Sequence, residues 1–261
     1  PPVPVAARTA LSHDVLDAEF SQVLNSIVMV SAKPRAALYL YDVATTAERE
    51  LSLSAPPKYV SVSRDGKKAA VAHDSLITYV DLQTVGQGTP PVTALLSLSA
   101  DARDLVLGDE FVYAIPDGTW WVQMHSIEIA TNTETSSGQI WPGSNAKLLA
   151  DGQYFYAAHN LSPSDVEKWD VRSGVATRIG DSPYHGEHES CGNLWISEDG
   201  ATIYTACGAL FKSTSDPATD MRFIGEFELP PLEGSWFRSV LTLSESAEKS
   251  EVMLVEAAKN P

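Results

Sequence analysis

Tyr59-Val60-Ser61-Val62-Ser63, then Asp65-Gly66, then Ala69-Ala70-Val71-Ala72 is the stretch that decides the fold. Apolar and polar residues alternate on both sides of an Asp-Gly pair. Alternation with a period of two marks a half-buried strand. Asp-Gly reverses a chain because both residues tolerate positive φ. The stretch therefore predicts a β-hairpin.

The same pattern returns along the chain. Asn193-Leu194-Trp195-Ile196-Ser197, Asp199-Gly200, Thr202-Ile203-Tyr204-Thr205-Ala206 is a second copy. Lys147-Leu148-Leu149-Ala150-Asp151-Gly152-Gln153-Tyr154-Phe155-Tyr156-Ala157 is a third. Turn pairs at Asn25-Ser26 and Gly108-Asp109 fill the gaps between them. Their spacing of about 40–48 residues matches a four-stranded propeller blade.

A second anchor keeps the same register. Asp42-Val43-Ala44-Thr45, Asp81-Leu82-Gln83-Thr84, Glu128-Ile129-Ala130-Thr131 and Asp170-Val171-Arg172-Ser173 each end an apolar strand with an acid and a hydroxyl. Both side chains suit a tight turn, where they bond nearby backbone N–H groups. Their repetition marks Asp42, Asp81, Glu128 and Asp170 as turn residues rather than catalytic acids.

The reading is an all-β β-propeller of four-stranded antiparallel blades, six or seven in number. Five complete units run over 16–55, 56–99, 100–142, 143–186 and 187–231. A partial sixth begins at Ser235-Trp236-Phe237-Arg238 and holds a second strand near Val252-Met253-Leu254-Val255. Residues 1–15 read as an N-terminal linker, with 5–11 as a candidate ring-closing strand. Residues 16–261 read as the propeller domain, which either closes irregularly with six blades or is truncated at its C-terminal end before a seventh.

Tyr59-Val60-Ser61-Val62-Ser63-Arg64-Asp65-Gly66 and Thr78-Tyr79-Val80-Asp81-Leu82-Gln83-Thr84 resemble the YVTN-type propellers, relatives in style of WD40 repeats. Tyr39-Leu40-Tyr41-Asp42-Val43-Ala44-Thr45 and Lys168-Trp169-Asp170-Val171-Arg172-Ser173-Gly174 agree with them. The pattern departs in the third unit, at Trp120-Trp121-Val122-Gln123-Met124-His125, and in the incomplete last unit. The resemblance implies a seven-bladed ring on secreted or surface proteins of bacteria or archaea. It implies no fixed activity, because propellers host binding, scaffolding and catalysis alike.

The bulk composition narrows the partners. The 261 residues carry a formal charge of −16. Such a surface repels nucleic acid, whose binding needs a basic stripe, and Lys67-Lys68 is a lone basic pair at a hairpin tip. No apolar run approaches the roughly 20 residues of a membrane span. No Gly-x-Ser-x-Gly, Gly-x-Gly-x-x-Gly or Walker-type motif is present. The expected protein is a binding module without a cofactor, extracellular or at the cell surface, that takes a protein or glycan partner.

The candidate site is the connection Asp181-Ser182-Pro183-Tyr184-His185-Gly186-Glu187-His188-Glu189-Ser190-Cys191. Tyr184, His185 and His188 are its binding candidates. Arg103, Lys147 and Arg238, near the starts of innermost strands, are candidates for the channel mouth or for ion pairs that fill it. His185 and His188 also have a spacing open to a transition metal, though no Cys-x-x-Cys pair supports one. Cys191 and Cys207 bracket the Asp199-Gly200 turn and form a disulfide candidate on adjacent strands, within the roughly 4.4–6.8 Å that Cα atoms need. That bond would imply an oxidising compartment and would remove Cys191 as a metal ligand. Trp120-Trp121, Trp141 and Trp236 are candidates for stacking on a partner, whereas Trp169 and Trp195 read as packed between blades. Two rival readings stand beside the binding module. One is a lyase or hydrolase using the channel-mouth His and carboxylates, the other a structural domain of a longer surface protein.

Overall fold

The computed structural model describes residues 10–88, 90–227, 237–246 and 248–259, with the side chains of 237–239 and 257–259 left out. The first blade holds β1 (Asp17–Ser21), β2 (Ser26–Ser31), β3 (Ala37–Asp42) and β4 (Glu48–Ser52). The second holds β5 (Tyr59–Val62), β6 (Lys68–His73), β7 (Leu76–Asp81) and β8 (Thr93–Ser97). The third holds β9 (Ala102–Leu107), β10 (Phe111–Pro116), β11 (Val122–Glu128) and β12 (Thr133–Ile140). The fourth holds β13 (Asn145–Leu148), β14 (Tyr154–Ala158), β15 (Val166–Asp170) and β16 (Thr177–Asp181). The fifth holds β17 (Leu194–Ile196), β18 (Thr202–Thr205), β19 (Ala209–Lys212) and β20 (Phe223–Glu226).

Each of these sheets is antiparallel and follows chain order. β21 (Phe237–Ser246) and β22 (Glu251–Lys259) pair as a separate two-stranded sheet, which is the partial sixth unit. The one helical element among the described residues is a 3-10 turn at Leu82–Thr84. The candidate closing strand at 5–11 and Trp236 lie outside the described residues, apart from Ala10 and Leu11.

The turn chemistry is local and repeats. The Asp65 carboxylate accepts from the Lys67 N–H at 3.0 Å, and that of Asp199 accepts from the Ala201 N–H at 2.9 Å. Gly66 and Gly200 follow them at φ of 69° and 72°, which a side chain would strain. Asp42, Asp81 and Asp170, in the turns between the third and fourth strands, accept in the same way from backbone N–H groups two or three residues further on. The acids of the second anchor thus serve turns.

Packing runs from blade face to blade face. Leu40, Val60 and Val71 fill the space between blades one and two. Leu96, Leu105 and Ile127 fill that between two and three. Phe155, Trp169 and Ile140 join three and four, and Tyr156, Leu194 and Phe211 join four and five. Val240 and Leu243 of the sixth sheet close on Tyr204 and on half-buried Trp195. Apolar burial at about 25 cal/mol per Å² is the main driving force for this stacking.

Side chains of the first strands stitch one blade to the next. Asp17 accepts the Val60 N–H at 2.9 Å, Ser61 the Leu107 N–H at 3.1 Å and Asp104 the Ala146 N–H at 2.7 Å. These bonds satisfy backbone groups that a strand facing the axis leaves without a ladder partner.

Antiparallel order fixes two ends of the ring. The turns between first and second strands and between third and fourth strands of every blade lie at one end. The turns between second and third strands and the connections between blades lie at the other, called here the loop end. Residues 117–121, 141–144, 159–165 and 181–193 all belong to the loop end.

Candidate functional site

Lys147 and Arg103 stand on β13 and β9, the first strands of blades four and three. The Lys147 ammonium forms an ion pair with Glu19, 128 residues earlier in the chain. Neighbouring first strands run in the order β1, β5, β9, β13, so this pair reaches from blade four to blade one. Asp104 and Asp17 lie close enough to act on the same ammonium. Burial pushes the Asp104 carboxyl up to about 7, against the pull of Lys147 and of the Ala146 N–H. Burial raises Asp17 as well. Arg64 adds a second bridge at the turn end, to Asp109 at 2.6 Å and to the Ala150 carbonyl at 3.1 Å. A cavity of about 130 Å³ lies between Glu19, Lys147 and Arg64. Arg103 donates to the Tyr59 hydroxyl at 3.3 Å. Arg238 stands on β21 with its side chain outside the description.

The Lys147 pair sets a pH-dependent expectation. A carboxyl whose folded pKa is raised costs stability as pH climbs from its unfolded value through its folded one. Lys147→Met removes the cation that offsets this cost at Asp104. The variant loses about 1–3 kcal/mol above pH 7, discounted for a lysine side chain that is 34% exposed, and the loss shrinks toward pH 5. Urea unfolding at pH 5.5 and pH 8 reads the difference; an equal loss at both values would contradict the assignment.

In the 181–191 connection the Tyr184 and His188 side chains pack against β20, and His185 points to solvent. Tyr184 accepts the Phe223 N–H at 3.1 Å and packs into the core between blades four and five. The His188 ring stacks on Phe223 at 3.7 Å and meets Tyr184 edge-on at 4.6 Å. Both side chains thus anchor the loop to the outer strand β20. His185 is exposed, and its N–H donates to the Glu187 carboxylate.

Cys191 and Cys207 form a disulfide with Cα atoms 5.3 Å apart. They sit beyond the strands, in the connection before β17 and the turn after β18, and not on the adjacent strands themselves. Among the described residues, Glu189, Cys191 and Cys207 are the group of metal-type donors that converges. The disulfide takes both sulfurs out of thiolate chemistry, and His185 and His188 join no such group.

A more open arrangement lies over blades three and four. The Trp121 and Trp141 rings are 3.6 Å apart at 33°, and Trp141 lies 5.4 Å from His159. Trp120 is 82% exposed, and Trp121 beside it is 43% exposed. The loop holding them is pinned where the Asp117 N–H donates to the Asp101 carbonyl at 2.8 Å. Beneath, buried Glu167 pairs with Arg178 at 2.8 Å, and Arg178 also reaches Asp181 at 2.7 Å. Burial raises Glu167 to about 7 and lowers His159 to about 4, the latter with help from the Arg178 charge.

A cleft of about 370 Å³ at the outer edge of blades four and five is lined by Tyr154, Ile179, Pro183 and Met221. The ion pair of Lys168 and Asp220, 2.8 Å apart, lies at its floor.

The fold and this end of the ring define a β-propeller with an ion-paired channel and an exposed aromatic patch, an architecture suited to binding. No protein-family model matches the chain, and no curated protein matches it. Among solved structures the chain is similar to Kuenenia stuttgartiensis hydrazine synthase, with a TM-score of 0.58 and 15% identity, over 97% of this chain and 69% of that one. At that identity the likeness is one of fold. No helix among the described residues is long and apolar enough to cross a membrane.

Proposed function

We propose that this chain is a binding module of the YVTN-like propeller type that holds a protein or glycan partner at its loop end, outside the cell. The observation that carries the reading is the exposed pair Trp120 and Trp121, the second tilted against Trp141. Leaving about half or more of an indole in water forgoes roughly 1.5–3 kcal/mol of burial that a core position would give. Tryptophan is enriched where partners dock, because it offers a large rigid surface at low entropic cost. The Cys191–Cys207 bond supports an exported location, since disulfides persist where thiols are not kept reduced.

The test is a pair of arrays, one of glycans and one of peptides, probed with the wild type and with Trp120→Ala/Trp121→Ala. Signals of the wild type are expected to disappear in the variant. Retention of every signal would place binding elsewhere. Alkylation of the unreduced protein followed by intact-mass measurement checks the exported location: unlabelled cysteines support it, and two labelled ones oppose it.

A further inference from the structure

The charge around the tryptophans is one-sided. The loop-end segments of blades three to five are residues 98–101, 117–121, 141–144, 159–165, 182–193 and 206–208. They contain Asp101, Asp117, Asp165, Glu187 and Glu189, and not one Lys or Arg. Blades one and two differ, with Lys33, Arg35 and Lys58 in their loop-end segments. Asp101, Asp117, Glu187 and Glu189 are exposed. Asp117 accepts from the Gly118 N–H, and Asp101 from the N–H and hydroxyl of Ser75. Asp101 also acts on the Lys58 ammonium, which is itself paired with Asp74, so Asp117 and Glu187 carry the charge that no Lys or Arg offsets. Arg178 on β16 is committed to Glu167 and Asp181, and Arg103 on β9 donates to the Tyr59 hydroxyl.

An indole face attracts a cation through its quadrupole, most strongly when the cation is an ammonium or a guanidinium. Carboxylates beside it add long-range attraction and speed encounter. A neutral sugar would gain from the indoles and nothing from the carboxylates. A polyanion would be repelled. We infer that the loop end of blades three to five recognises a cationic segment of a partner protein, with an Arg or Lys side chain laid over Trp120 and Trp121 and neighbouring basic residues facing Asp101, Asp117 and Glu187. This rests on the binding reading above and names the partner chemistry for the same surface.

The experiment uses the full chain and a blocked penta-arginine peptide as probe, with titration calorimetry at low and moderate salt. A neutral hexamer of N-acetylglucosamine runs beside it. The peptide is expected to bind, and Trp120→Ala to weaken it by roughly tenfold. Asp117→Asn/Glu187→Gln is expected to weaken it several-fold, and added salt to weaken the wild type further. Asp151→Asn, which removes one charge at the opposite end of the ring, is expected to change little. Trp120 is largely exposed, so its variant keeps the fold, and a thermal melt verifies this.

If Trp120→Ala leaves peptide affinity intact, or Asp151→Asn matters as much as Asp117→Asn/Glu187→Gln, the attraction is that of a −16 molecule at large and the inference fails. If the sugar hexamer binds, is lost with Trp120→Ala and the peptide is ignored, the cationic partner is overturned while the binding reading survives. If neither probe binds but the arrays show Trp120-dependent signals for other ligands, the result is the same. If the arrays also lose nothing in the variant, both readings fall.

Discussion

Asp220→Ala is expected to lower the stability of the protein by about 3–5 kcal/mol, the range for breaking one partner out of a buried ion pair. The two side chains of the Lys168–Asp220 pair are 7% and 6% exposed. Asp220 also accepts the Tyr156 hydroxyl at 2.7 Å and the Thr214 N–H at 2.9 Å. Lys168 in turn donates to the Thr214 carbonyl at 2.8 Å, and its ammonium lies about 5 Å from the Tyr154 and Tyr156 rings. Removing the carboxylate therefore strands a buried cation, a phenol and an amide at once. Loss of a single neutral hydrogen bond would cost only about 1 kcal/mol, so the charge decides the size. For a domain of this size the shift in Tm is roughly 10 °C. The double variant Lys168→Met/Asp220→Leu is expected to recover most of the loss, because it leaves no charge behind. Urea unfolding of both variants reads this. A single variant within 1 kcal/mol of wild type would mean that water reaches Lys168 and that the cleft above the pair is wetter than its geometry indicates.

Trp169→Ala comes next, with an expected cost of about 3–5 kcal/mol. The residue is fully buried in the interface of blades three and four. Its ring lies 5.9 Å from that of Phe155 at an interplanar angle of 7°. On the other side it fills the space over Gly138, where an added Cβ would come within 2.9 Å of the indole. Truncation opens a cavity between two sheets whose backbones are held by their own ladders and cannot collapse into it. Trp169→Phe keeps most of the volume and is expected to cost less than half as much. Because the same cluster holds Val122 and Ile140, the chain neighbours of Trp121 and Trp141, Trp169→Ala is expected to blunt ligand binding at the loop end. Differential scanning calorimetry checks the first effect. If Trp169→Ala melts with the wild type, blades three and four do not form one cooperative unit.

The sequence by itself determined the blades. Strand alternation and turn chemistry are local: they depend on side chains within a few positions of each other, as in Ser63, Asp65, Gly66 and Lys67. The five four-stranded sheets accordingly fall inside the five repeat units, and Asp42, Asp81 and Asp170 serve the turns assigned to them. The burial of Trp169 between blades was legible for the same reason, since its strand position follows from the period of two.

What each polar side chain faces was decided only by tertiary structure. Tyr184 and His188 sit in a loop with no period, and their direction is set by Phe223, almost forty residues later. Lys147 finds Glu19 because ring curvature brings blade four back across from blade one. Trp121 and Trp141 meet because a turn within blade three and the connection leaving it share one end of the sheet. The doubled Trp120-Trp121 in the unit that departs from the repeat was the one signal of that patch in the sequence. Burial of His159 and Glu167 beneath it had no signal at all, because desolvation depends on neighbours from other strands and blades, and those contacts exist only once the sheets have stacked.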